Sequence, residues 1–346
     1  MDPEDQKPEF NSLILKLAWE TNMPKELVAI APRQPVLREY EDGPVPADSV
    51  RVQVEFGAPK RGTELTAYYG YNSANFPMGL GNMCVGKVIE IGEEVEGFEI
   101  GERITSHGHL KETHTWRAAG VLKMPDQMTW KEAVCYDPLH FAMSAIRDGK
   151  VRVGERVAVF GLGAIGLMTV QMARIAGADF VAAVDPLERR RKVAEKTGAE
   201  LVIDPTASNT GEVLKEATGG IGVDVAVETS AIYEALDDAL RSVTFEGTIV
   251  YAGRAKACTG GLDLGAVAHV NIPNIIFARA NSDPNRDHPR WDFRRIVDTC
   301  WKWLEEGRFD CEDVVDPVVP FEDSVEAYIE MDNHPERSVK LGVAFG

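Results

Sequence analysis

The stretch "VFGLGAIGLM" limits the possible folds of this chain more than any other. It places Gly161, Gly163 and Gly166 in G-x-G-x-x-G spacing. The motif follows an apolar run, "RVAVFG", and opens a helical pattern, "AIGLMTVQMARIAGA". A glycine at the first position permits a tight strand-to-helix turn. The second lets the backbone approach a pyrophosphate, and the third lets helix and strand pack closely. The free N–H groups of the helix, reached through Ala164 and Ile165, then face the phosphates. Asp185 ends the next strand-like run, "FVAAVD", nineteen residues after Gly166. That is where a carboxylate accepts hydrogen bonds from an adenosine ribose and repels a 2′-phosphate, so NAD is expected over NADP. Arg189, Arg190 and Arg191 follow closely, and Arg190 is placed beside the ribose. These arginines keep NADP as the less favoured cofactor.

Strand and helix patterns alternate on both sides of the motif. Near-continuous apolar strands are expected at 156–161, 180–185, 200–204, 223–229, 247–253 and 274–280, with helical patterns between most of them. Six such strands make a doubly wound α/β domain, placed over residues 139–281. Thr229, Ala252 and Gly253 end two of these strands and are expected at the cofactor. Residues 13–138 read differently: "SVRVQVEFGAP" alternates apolar and polar side chains, and "CVGKVIEIGEEVEGFEIGERI" is β-branched and punctuated by glycine. Helical periodicity is scarce there. Residues 282–346 are too few to build their own core. They are expected to rejoin 13–138 as one discontinuous β-rich domain. Residues 1–12 read as a disordered tail.

Charge and cysteine content narrow the function. The 346 residues carry 55 acids against 37 bases, a net charge of −18. That surface disfavours nucleic acid and anionic membranes as partners. No apolar run is long enough for a membrane span, and "MDPEDQKPEF" has no secretory apolar core. The five cysteines are scattered and never form a CxxC pair, as suits a reducing cytoplasm. The expected partners are a small-molecule substrate and a second copy of the chain, in a homodimer or homotetramer.

Several stretches together resemble the medium-chain dehydrogenase/reductase superfamily, closest in order and spacing to its zinc-type alcohol and polyol dehydrogenases. They are "RGTELTAYYG", "PMGLGNMCVGKVIEIG", "GFEIGERI", "DPLHFAMSAI", the glycine motif and "DVAVETS". The resemblance covers about residues 14–346. It implies a GroES-like catalytic domain beside a Rossmann domain, and hydride transfer with a nicotinamide cofactor. It also implies three zinc-ligand positions, and here they read Arg61, Asn82 and Asp137. The thiolate and imidazole are missing, and so is the four-cysteine structural lobe. No zinc is expected.

A cation in the metal's place would do the metal's electrostatic work. Arg61 is the expected electrophile, neutralised by Asp137 and Glu64. Lys60 and His140 are both open as the proton-accepting base. Thr63 falls where the family has a relay hydroxyl. Glu64, Tyr69, Asn82 and Trp116 are expected around the substrate. His107, His109 and His114 are read as rim or surface histidines. The expected activity is zinc-independent, NAD-dependent oxidation or reduction at a secondary alcohol, of a sugar, polyol or cyclitol. Reduction of a quinone or enone, and NAD(H) binding without catalysis, stand as alternatives.

Overall fold

The computed structural model describes residues 23–71, 74–254, 261–262 and 264–346. The expected tail at 1–12 and Cys258 lie outside these residues. Among the described residues the first elements are strands β1 (Lys25–Ala31), β2 (Gln34–Glu39) and β3 (Ser49–Ala58), then helix α1 (Arg61–Tyr68). Strands β4 (Met78–Gly79), β5 (Met83–Ile91), β6 (Arg103–His107), β7 (Thr113–Arg117) and β8 (Leu122–Lys123) follow. β1 sits between β2 and β4 in a small antiparallel sheet. The larger sheet runs β15-β16-β3-β5-β6-β8, with β7 also on β3, where β15 is Val315–Pro320 and β16 is Lys340–Ala344. The end of the chain therefore returns to the first domain, and Val343 pairs with Gly57. Alternation along β3 explains this placement. Val50, Val52, Val54 and Phe56 are all buried, while Arg51, Gln53 and Glu55 are only partly so.

Helix α1 is the local surprise, because "RGTELTAY" lacks a clear apolar stripe. Only Leu65 and Tyr68 of it are buried. Tertiary contacts sustain it: Tyr68 packs edge-on against Tyr328, with ring centroids 5.1 Å apart.

Helix α2 (Tyr136–Asp148) leads into the second domain. There β9 (Arg156–Phe160), α3 (Ala164–Ile175), β10 (Phe180–Val184) and α4 (Glu188–Lys196) begin the alternation. β11 (Leu201–Ile203), α5 (Thr210–Ala217), β12 (Val223–Glu228), α6 (Tyr233–Ser242), β13 (Val243–Tyr251) and β14 (Asn274–Phe277) complete it. All six strands are parallel, in the order β11-β10-β9-β12-β13-β14. The expected α/β class with a doubly wound sheet and a β-rich companion is the observed one. The order reverses between β9 and β12, and a crevice opens at the carboxyl ends of such strands. Two helices, α7 (Phe293–Glu305) and α8 (Ser324–Asn333), carry the chain back towards β16. Among the described residues no helix is long and apolar enough to cross a membrane.

Candidate active site

A cleft of about 620 Å³ runs from the glycine turn to the end of β3 and the start of β16. Gly161 has φ of +83°, which a side chain would strain. A Cβ on Gly166 would lie 1.9 Å from the Gly161 carbonyl oxygen. A Cβ on Gly163 would meet no protein atom within 4 Å, because that side faces the cleft. Gly163 is the N-cap of α3 and offers no side-chain cap, so the first N–H groups of the helix are left for an anion. Ala164, Ile165 and Thr229 also line the cleft. The Thr229 hydroxyl donates to the Gly161 carbonyl at 2.7 Å and holds the turn against β12. This cradle fits a dinucleotide pyrophosphate.

Asp185 is buried at the same end. Its two carboxylate oxygens accept from the Leu162 amide at 2.7 Å and the Leu187 amide at 2.8 Å. The Arg190 guanidinium lies 3.7 Å away. Burial lowers the Arg190 pKa, opposed by Asp185, and the nearby charge of Arg61 lowers it further. Ala252 and Gly253 do not reach the cleft. Their amides continue the sheet by donating to the Glu228 carbonyl, and Gly253 packs on Ala231.

Beyond the end of β3 the structure changes the expected contacts. Lys60, not Arg61, meets the carboxylate. Its ammonium lies 3.0 and 2.9 Å from the two oxygens of Asp137 and 3.6 Å from the Phe141 ring centre. Arg61 begins α1, so its side chain turns the other way. Its Nε donates to the Met331 carbonyl at 3.1 Å, and its charge acts on Arg190. One residue of register decides this, because the strand ends at Ala58 and the helix begins at Arg61. Burial alone would raise the Asp137 pKa, but Lys60 and Lys340 outweigh it and hold the carboxyl below its usual range.

Glu64 does not neutralise Arg61 either. It accepts from the Lys60 amide at 3.1 Å, the Gly81 amide at 2.9 Å and the Tyr328 hydroxyl at 2.7 Å, and it fixes the loop behind the site. Its pKa is raised by burial. Thr63 is exposed on α1. Tyr69 turns its hydroxyl to Asp332, with Arg33 over its ring. Trp116 is buried and stacked on His114 at 4.9 Å, in the core. Neither aromatic lines the cleft.

Asn82 sits beside the end of β3, where its amide donates to the Ala58 carbonyl at 3.1 Å. Its side-chain nitrogen is buried without a hydrogen-bond partner, as is Nε2 of His140. His109 pairs with Glu26 at 2.7 Å, away from the cleft. Lys340, which the sequence reading missed, is a lysine in an apolar terminal strand. It is buried and lines the cleft.

His140 is held neutral. Burial lowers its pKa from 6.5 to about 4, although Asp137 opposes the shift. Between those values the unfolded chain binds more protons than the folded one. The stability due to this neutral imidazole is therefore complete above pH 6.5 and is lost as pH falls towards about 4. His140→Phe is expected to flatten the fall in melting temperature across that window. An unchanged curve would show that His140 does not titrate there.

The donor set does not fit a zinc ion. Both oxygens of Asp137 are taken by an ammonium, and the other two expected ligand positions hold a guanidinium and an amide. A second cation could enter only by displacing Lys60.

Comparison with known proteins agrees with this architecture. Residues 46–136 match the alcohol dehydrogenase GroES-like domain, and residues 164–281 match the zinc-binding dehydrogenase family. The D-guloside 3-dehydrogenase of Escherichia coli (strain K12) is 43% identical, over 93% of this chain and 100% of that protein. An Escherichia coli oxidoreductase/dehydrogenase of unknown specificity superposes with a TM-score of 0.81 at 21% identity. It covers 94% of this chain and 100% of its own. An alcohol dehydrogenase of Escherichia coli CFT073, solved with NADH, has a TM-score of 0.77 at 21% identity, over 93% and 99%. These two structures share the fold.

Proposed function

This chain belongs to the medium-chain dehydrogenase/reductase superfamily of alcohol dehydrogenases, and from that premise we propose that it is an NAD-dependent, zinc-independent dehydrogenase of a secondary alcohol on a sugar-type molecule. The observation that carries the reading is the Lys60–Asp137 ion pair, which lines the same cleft as the Gly163 cradle. The 43% identity to a D-guloside 3-dehydrogenase supports a ring hydroxyl of a sugar as the reacting group.

A nicotinamide cofactor, which the Gly163 cradle and Asp185 would hold, would supply the acceptor or donor of the carbinol hydride. The protein's part is the hydroxyl proton. In the reducing direction the Lys60 ammonium donates a hydrogen bond to the carbonyl oxygen and then its proton, as hydride reaches carbon. In the oxidising direction the amine form takes the hydroxyl proton as hydride leaves. Asp137 orients Lys60 through both oxygens. Arg61 and Arg190 supply positive charge near the adenosine end, beside the ribose site of Asp185, and Arg61 thus serves cofactor binding.

Chelator-treated protein is expected to keep its turnover with NAD and a panel of glycosides and polyols. Metal analysis should find less than about 0.1 zinc per chain, as a site without a thiolate or imidazole donor requires. Activity lost on chelation and restored by zinc would overturn the metal-free reading. NADH oxidation by quinones without turnover of any alcohol would replace the substrate class.

A further inference from the structure

We infer that Lys340 is a positioning residue of this site: it anchors the backbone that presents Lys60, and it remains the counter-ion of Asp137 whenever Lys60 has given up its proton. The inference rests on Lys60 being the proton carrier.

Three observations support it. Lys340 is only 6% exposed, and its ammonium donates at 2.9 Å to the carbonyl of Pro59, the residue before Lys60. It opens β16, which pairs with β3 close to the point where that strand delivers Lys60. It lines the cleft together with Lys60 and Asp137, and its charge acts on Asp137 alongside that of Lys60. Burying an ammonium is costly unless a partner compensates it. Burial lowers the Lys340 pKa, and the charge of Asp137 is the largest of those that oppose the shift.

The charge count explains why two lysines share one aspartate. With Lys60 protonated the cluster holds two cations and one anion. When Lys60 passes its proton to the substrate oxygen, Lys340 and Asp137 remain as a balanced pair. Without Lys340, the same step would leave a buried carboxylate without a counter-ion, and Lys60 would keep its proton. Glu64 cannot take this part, because its carboxylate is occupied by the Lys60 and Gly81 amides and the Tyr328 hydroxyl. Burial keeps His140 neutral, so it adds no charge.

The test compares the parent enzyme with Lys340→Met and Lys340→Arg, measuring kcat, KM and the Kd for NADH by fluorescence titration. Lys340→Met is expected to lower kcat about 100-fold, with KM and the NADH Kd within about threefold of the parent, as for loss of a charge felt mainly in the reacting state. Lys340→Arg should recover about tenfold of that loss. Parental kcat in Lys340→Met would overturn the inference. So would a loss lying mainly in the NADH Kd, which would make Lys340 a phosphate ligand instead. If Lys340→Met does not melt cooperatively, Lys340→Gln takes its place, and a folded Lys340→Gln with parental kcat overturns the inference equally. A parent enzyme without turnover on any alcohol removes the functional reading and this inference with it, whereas an active parent matched by its variants removes the inference alone.

Discussion

Lys60→Met is expected to lower kcat about 1,000-fold while NADH binds nearly as well as before, because the variant loses both a charged donor to the reacting oxygen and the proton carrier. The carboxylate it leaves is not stranded. The charge of Lys340 still acts on Asp137 in the same cleft, so the fold should survive the change. Arg61 supplies the informative contrast. It turns to the Met331 carbonyl and towards Arg190, so Arg61→Gln should weaken NADH binding more than it slows hydride transfer. Steady-state kinetics and fluorescence titration on the two variants separate the roles. Parental kcat in Lys60→Met would end the assignment, as would a larger kcat loss in Arg61→Gln than in Lys60→Met.

Gly166→Ala should cost the cofactor site its shape. The new methyl group would lie 1.9 Å from the Gly161 carbonyl oxygen, 2.9 Å from its carbon and 3.1 Å from the Thr229 hydroxyl. Two of these are backbone atoms in a turn already fixed by a positive φ, and they cannot give way. Either α3 lifts from β9 or the turn opens. Overpacking of this kind costs about 2–3 kcal/mol, and a distorted cradle should weaken NADH binding about 100-fold. Gly163→Ala is the matched control. Its methyl group meets no protein atom, so melting should hardly change, yet it fills the space next to the helix N-terminus and NADH affinity should still fall. Equal melting temperatures for the two variants would refute the packing argument.

The nucleotide domain was legible in the sequence because its signals are local. A strand, three spaced glycines, a helix and a carboxylate at the end of the next strand each state their role within thirty residues. The structure places Gly161, Gly163, Gly166 and Asp185 where those signals put them. For Ala252 and Gly253 the sequence could not tell which way their amides point, and both donate to the Glu228 carbonyl. At the catalytic end, the site's composition was legible and its geometry was not. Lys60, Arg61, Glu64, Asn82 and Asp137 were all singled out, but the cation that meets Asp137 is Lys60 and not the expected Arg61. Tyr69 and Trp116 illustrate the same limit, since an aromatic side chain suits a core as well as a pocket.

By itself the sequence determined an α/β chain with a dinucleotide turn, and a family site stripped of its thiolate and imidazole. The first depends on which residues stand at short, fixed spacings, and the second is what the resemblance to the zinc-type dehydrogenases implies. Which cation meets Asp137 was decided by tertiary structure alone. Strand β3 ends at Ala58 and α1 starts at Arg61, so adjacent side chains leave the backbone in different directions. Lys340 joins them only because β16, some 280 residues later, closes on β3.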